Sequence, residues 1–204
     1  MTHLTYITLN IGPYQGNIAP EFDNEALRAN LIHVADLLKS TQAVRLSNGV
    51  DYVMKVPLNT ASGEITVALK VFKRQGLLKD RFDRKNKSKA ERSFNAATYL
   101  KTHKIGTPAP IAWLDRWENN RLIESYFLSV FQPAICFRDA LTDLYNGARD
   151  NALLMELLYL VAPAIKQMHD CQFMHGDLGN QNILLPKNSD GSWGQPQFID
   201  LNRC

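Results

Sequence analysis

Residues 175–202 read HGDLGNQNILLPKNSDGSWGQPQFIDLN, and this stretch restricts the fold more than any other in the chain. A polar loop carries His175, Asp177 and Asn182. A short apolar run, Ile183 to Leu185, follows it, then a segment rich in Asn, Gly and Pro, then a second apolar run ending at Asp200. Two short apolar runs joined by turn chemistry form a β-hairpin. A hairpin folds its ends together, so residues near 182 and near 200 become neighbours although eighteen positions separate them. Taken alone, His-Gly-Asp is common turn chemistry. The constellation gains its meaning from what lies upstream.

Residues 43–72 alternate with a period of two. AVRLSN, DYVMKVPL and EITVALKVF are expected strands, separated by turn chemistry around Gly49 and at Asn59 to Gly63. In the third, Ile65, Val67, Leu69 and Val71 share one face, and Ala68, Lys70 and Phe72 share the other. Asp23-Asn24-Glu25 opens a helix with Leu27, Leu31, Val34 and Leu38 on one side, ending near Ser40, after a short strand or extended arm at residues 4–11. Ser88 to His103 is a second helix, stopped by Gly106 and Pro108, and IAWLDRW with RLIESYFLSVF is a hairpin turning at Glu118-Asn119-Asn120. From Gln132 the pattern is helical, over 137–145 and 151–171, with Pro163 expected to kink or shorten the second helix. Strands, one inserted helix, more strands and then helices give an α+β chain of two lobes with a cleft between them. The lobes are an antiparallel five-stranded N-lobe over 41–131 and a helical C-lobe over 132–204, preceded by an arm and helix over 1–40.

Composition excludes several classes. With 45% hydrophobic and 21% charged residues the 204-residue chain can build a core. The apolar run around Leu157 to Ile165 is too short to span a membrane, and the N-terminus lacks a signal-peptide pattern. Cys136, Cys171 and Cys204 are unpaired in spacing, which suits a reducing compartment and gives no zinc motif. Cys171 is read as a small buried hydrophobe. The net charge of +3 conceals a basic stretch at 70–92, which holds ten Lys or Arg against three acids. Such a stretch is either a solvated loop or an anion-facing surface. Nucleic acid is not expected, because no aromatics interleave with the basic residues.

The H-x-D-L-x-x-x-N loop, the hairpin and the apolar-apolar-Asp together resemble the catalytic loop and metal-binding Asp of the protein-kinase-like superfamily, and Val67-Ala68-Leu69-Lys70 resembles its third-strand V-A-x-K. The resemblance implies ATP and Mg²⁺ as cofactors. Asp177 would serve as base, and Asn182 and Asp200 would hold the metal with hard oxygen ligands. Lys70 would meet the α- and β-phosphates, with Glu91 as its anionic partner. Ala68 would leave room for adenine, Val130 and Phe131 would lie at the hinge, and Gly49 would allow one close backbone approach to phosphate. His175 is read as a structural loop residue. Gly176 stands where eukaryotic-type protein kinases carry Arg, so control by a phosphorylated activation segment is not expected.

Among the branches that share HGDL, ALKVFKRQGLLKDRF, SKAERSFNAATYLKTHKIGTPAPIAWLD and HGDLGNQNILL with FIDLNR resemble the lipopolysaccharide core kinases of the Kdo/heptose family, over roughly residues 41–204. That resemblance implies phosphorylation of a Kdo or heptose hydroxyl on a lipopolysaccharide precursor. The partner would be an anionic glycolipid, and the site of action the cytoplasmic side of the inner membrane. There the basic stretch would contact the anionic surface, at about 1 kcal/mol per basic residue. Two alternatives stay open: a kinase-like transferase acting on protein or small molecules, and a nucleotide-binding pseudokinase. The C-lobe is read as truncated after the metal-binding Asp, which would leave apolar surface of the 153–168 helix uncovered.

Overall fold

The computed structural model describes residues 6–60, 63–73, 76, 85–147 and 150–204. They divide into two compact units. One runs to Asn95 and resumes over Ala109–Phe131; the other comprises Ala96–Pro108 and Gln132–Cys204.

The first unit is built on a seven-stranded antiparallel sheet. Its strands are β1 (Ile7–Ile11), β2 (Tyr14–Ile18), β3 (Val44–Arg45), β4 (Tyr52–Thr60), β5 (Gly63–Phe72), β6 (Pro110–Glu118) and β7 (Arg121–Val130), in the order β1-β2-β6-β7-β5-β4-β3. The expected count of five is two short. Residues 7–11, within the expected short strand or arm, pair with 14–18 and extend the sheet beyond β6. β2 escapes a sequence reading because its core-facing side is Tyr14, Gly16 and Ile18, with a glycine where a hydrophobic residue would give the signal. A Cβ at position 16 would collide with the Trp113 carbonyl oxygen on β6, so the close approach of the strands requires glycine there.

Alternation decides what the sheet buries. Val67, Leu69 and Val71 of β5 join Met54, Val56 and Leu58 of β4 and Tyr126 and Leu128 of β7 in one core, with Ile65 packed against it. Helix α1 (Glu25–Ile32) covers that core with Leu27 and Leu31. Asn24 caps it, its Oδ1 accepting the Leu27 N–H at 2.9 Å. The expected single helix to Ser40 is interrupted at His33 (φ −105°, ψ 25°), and Val34–Leu37 forms a separate turn, α2. The β6–β7 hairpin turns through Asn119 (φ 47°) and Asn120 (φ 62°), the two left-handed positions of a type I′ turn, which Asn tolerates. Helix α3 (Lys89–Thr102) starts at Ser88, whose Oγ accepts the Glu91 N–H at 3.0 Å. Its first turns bury Ala90 and Phe94 against Ala19, Phe72 and Trp113.

The second unit holds the rest of α3, a three-stranded antiparallel sheet and two helices. The sheet is β8 (Ala134–Cys136), β9 (Ile183–Pro186) and β10 (Gln197–Phe198), ordered β10-β9-β8. β8 interrupts the helical pattern expected from Gln132; three residues carry too little periodicity to be read. Helix α4 (Phe137–Asn146) follows it directly, and α5 (Asn151–Asp170) is capped by Asp150. Pro163 neither ends nor shortens α5. The carbonyl it leaves without a donor belongs to Tyr159, on a residue that is 72% exposed, where water can satisfy it. Of the α5 stripe, Leu157, Val161 and Met168 are buried, while Met155, Leu158 and Tyr159 are exposed, as are Tyr145 and Met174.

Gly106, expected only as a helix stop, does more. Its carbonyl accepts the Phe198 N–H at 2.9 Å, and a Cβ there would strike the Pro196 carbonyl oxygen. The segment after α3 thereby fixes the strand that leads into Asp200. Cys171 is half-buried rather than buried; its carbonyl accepts the Tyr99 hydroxyl at 2.7 Å.

Candidate active site

The loop 175–182 is held by backbone groups together with the side chains of His175 and Asn182. The Asp177 carbonyl accepts the Gly179 N–H at 2.9 Å and the Asn182 Nδ2–H at 2.8 Å, and the Gly179 carbonyl accepts the Asn182 N–H at 2.9 Å. With its amide nitrogen spent inside the loop, buried Asn182 keeps its Oδ1 as an acceptor. Buried His175 ties the loop to the incoming strand. Its Nδ1 accepts the Asp177 N–H at 3.2 Å, so Nε2 carries the proton and donates to the Ile199 carbonyl at 2.8 Å. This is the structural role expected for His175.

The hairpin closes as its sequence predicts. Phe198 pairs with Ile183, Gln197 with Leu184, and the Ile199 N–H donates to the Asn182 carbonyl at 3.0 Å. Asp200 is therefore one residue removed from a direct backbone bond to Asn182. Its backbone is left-handed (φ 62°, ψ 47°), a conformation that costs a non-glycine residue free energy and concentrates at functional positions. Asn202 braces it, its Nδ2 donating to Asp200 Oδ1.

Two residues with no role in the sequence reading also belong here, Asn202 and Arg203. The Arg203 guanidinium stands 3.5 Å from Asp177 Oδ2, both side chains being largely exposed. A Cβ at Gly176 would collide with the Arg203 carbonyl oxygen. Glycine between His175 and Asp177 is thus what lets residues 201–203 pass over the loop. Sequence could have signalled Arg203 only through its place directly after the Asp200 motif.

The donor set fits magnesium. Among the described residues, no group of three or more His, Cys, Asp and Glu could hold a metal. One carboxylate, Asp200, and one amide oxygen, Asn182, are hard oxygen donors of the kind Mg²⁺ accepts alongside phosphate and water.

The strand-borne candidates lie in the first unit. Ala68 and Lys70 occupy the face of β5 opposite the core, as alternation predicts, paired with Lys55 and Val53 of β4 on one side and Ser129 and Phe127 of β7 on the other. Lys70 Nζ is 5.3 Å from the Phe72 ring centroid. Val130 ends β7 opposite Val67, its N–H bonded to the Ala109 carbonyl at 2.9 Å; the Phe131 N–H then reaches the Thr66 carbonyl, also at 2.9 Å. Glu91 sits in the first turn of α3 with Oε1 3.4 Å from Lys87 Nζ, an i,i+4 ion pair, where Lys70 was its expected partner. Gly49 lies in a connection that its side chains tie to β4, to the residue after β5 and to the start of α3. Ser47 Oγ accepts the Val53 N–H at 3.0 Å, and Asp51 takes the Lys73 N–H at 3.1 Å and the Lys89 ammonium at 2.5 Å. Of the basic stretch 70–92, residues 74–75 and 77–84 lie outside the described residues.

The family described as Lipopolysaccharide kinase (Kdo/WaaP) matches residues 73–204, more than half of the chain. No curated protein matches it. Among the solved structures that share the fold are the following two. One, described as WaaP in complex with acyl carrier protein, superposes with a TM-score of 0.56 at 17% identity, covering 84% of this chain and 64% of that one. The other, the kinase domain of Mycobacterium tuberculosis PknI, gives 0.51 at 12% identity, covering 80% and 61%. The chain thus spans under two thirds of the length of either. At these identities the likeness is one of fold: a protein-kinase-like α+β architecture. Among the described residues no helix is long and apolar enough to cross a membrane.

Proposed function

This chain belongs to the lipopolysaccharide kinase (Kdo/WaaP) family, and from that premise we propose that it transfers the γ-phosphoryl group of ATP to a Kdo or heptose hydroxyl of the lipopolysaccharide inner core. The observation that carries the reading is the Asp177–Asn182–Asp200 arrangement. The loop's own hydrogen bonds leave the Asp177 carboxylate and Asn182 Oδ1 available, and the β9–β10 hairpin returns Asp200 to Asn182.

The roles follow from the groups. Asp177 accepts the proton of the acceptor hydroxyl as that oxygen forms its bond to the γ-phosphorus. The bond from the γ-phosphorus to the bridging oxygen breaks, and ADP leaves with its electron pair. Asn182 Oδ1 and the Asp200 carboxylate hold Mg²⁺, which when bound neutralises phosphate charge as a Lewis acid. Lys70 meets the α- and β-phosphates, and Glu91 orients it. Ala68 leaves space for the adenine, which Val130 and Phe131 flank, and Gly49 offers one backbone approach. Most of the acceleration comes from positioning and charge neutralisation, since no covalent intermediate is needed. The acceptor is an anionic glycolipid at the cytoplasmic side of the inner membrane, and the basic stretch 70–92 supplies the attraction to it.

Incubating the chain with ATP labelled at the γ-phosphate, Mg²⁺ and three acceptors in parallel tests the proposal. The acceptors are a Kdo-containing lipid A precursor, an aminoglycoside and a generic protein substrate. Label is expected in the glycolipid alone. Label in the aminoglycoside or protein would move the chain to another branch of the fold. Mg²⁺-dependent ATP binding without transfer would favour the pseudokinase reading, which the single glycine of the 46–51 connection supports.

A further inference from the structure

Resting on the acceptor reading above, we propose that a cavity between α4 and α5 binds a sugar of the anionic glycolipid adjacent to the one that reacts. The cavity has a volume of about 540 Å³ and is walled by α4, the start of α5 and Asn180. That size is ordinary for a small-molecule site. Helical spacing builds one wall: Arg138, Leu141, Thr142 and Tyr145 recur at three and four residues and so share one face of α4. None of the residues assigned to the nucleotide or the metal lines it. Asn180 joins the cavity to the chemistry. It follows Asp177 by three residues, so their Cα atoms are at most about 11 Å apart. The start of α4 is fastened to the same loop, where Cys136 Sγ reaches the Asn180 and Gln181 carbonyls at 3.7 and 3.6 Å. A sugar linked to the one at Asp177 therefore has this cavity within reach.

The lining suits a polyol that carries an anionic group. A pyranose has a face of C–H groups and a rim of hydroxyls. Half-buried Leu141, Leu144 and Leu154 give an apolar floor, and the exposed Tyr145 ring offers a flat surface for the C–H face. The side-chain amides of Asn151 and Asn180 supply both donors and acceptors for hydroxyls. Asp150, the one carboxylate of the lining, spends Oδ1 on the Ala152 and Leu153 N–H groups and keeps Oδ2 for a hydroxyl. Arg138 is the one cation of the lining. Its Nε donates to Asp139 Oδ1 at 3.1 Å, which leaves its two Nη groups for a sugar carboxylate or phosphate. An acyl chain laid here would desolvate Arg138 and the amides without replacing their hydrogen bonds, so the sugar, not the lipid tail, is the occupant.

Calorimetric titration of the full chain with a deacylated Kdo-containing lipid A precursor, with the acylated precursor and with Mg²⁺-ADP tests this. Arg138→Gln and Tyr145→Ala are each expected to weaken the deacylated precursor about tenfold, the scale of one hydrogen bond to a charged group, with ADP affinity within about twofold. Arg138→Lys, which restores the charge, is expected to stay within about threefold of wild type. Unchanged affinity for the deacylated precursor in both variants, or parallel losses for precursor and ADP, would overturn the assignment while leaving the kinase reading intact. A loss confined to the acylated precursor would give the cavity to the lipid tail and overturn the sugar assignment. A wild-type chain that binds ADP but neither precursor would overturn both this assignment and the glycolipid acceptor.

Discussion

Asp177→Ala is expected to slow phosphoryl transfer about a thousandfold, within the range for loss of a general base, with Mg²⁺-ATP affinity within about threefold of wild type and an unchanged thermal midpoint. The structure separates these effects. Every hydrogen bond that shapes the loop through residue 177 uses its backbone: the carbonyl takes Gly179 and Asn182, and the N–H goes to His175. Among the described residues the side chain meets the exposed Arg203 guanidinium, at 3.5 Å, and an exposed pair of this kind contributes little to stability. Steady-state rates with the labelled glycolipid, alongside a melting curve, check the prediction. A variant that retains more than a tenth of wild-type turnover removes Asp177 from the chemistry.

Gly176→Arg, which gives the loop the residue usual in eukaryotic-type protein kinases, is expected to damage it rather than convert it. The obstacle is the Cβ, which would collide with the Arg203 carbonyl oxygen, so backbone rather than a flexible side chain must move. Forcing extra volume into a packed site costs about 1–3 kcal/mol. For a domain of this size that lowers the midpoint by about 2–10 °C. Because the displaced turn includes Asn202, the brace on Asp200, transfer should fall about a hundredfold, the scale expected when positioning is lost. Gly176→Ala carries the same Cβ without the charge and should reproduce most of the thermal loss. An alanine variant that melts like wild type would show that the close packing is not required.

Legibility in the sequence followed how much periodicity each element carried. β5 was plain, because Ile65, Val67, Leu69 and Val71 alternate without interruption and the structure buries that side. The hairpin carrying Asp200 was plain because its two apolar runs and the polar segment between them each leave a compositional mark. β2 and β8 were not. One presents Gly16 on its core side, and the other has three residues. Pro163 does not end α5, because the carbonyl it leaves unbonded lies on the water side of the helix. Glu91 stands at the start of its helix, and its ion pair with Lys87 is an i,i+4 contact that the spacing of the two residues allows.

The most direct measurement is the Mg²⁺ dependence of ATP binding in wild type and in Asp200→Ala. Titrations with and without Mg²⁺ should show wild-type affinity rising about tenfold or more with the metal, and that rise should vanish in the variant while metal-free affinity stays the same. The same Mg²⁺ enhancement in Asp200→Ala would contradict the metal role of the β9–β10 hairpin and, with it, phosphoryl transfer at this loop.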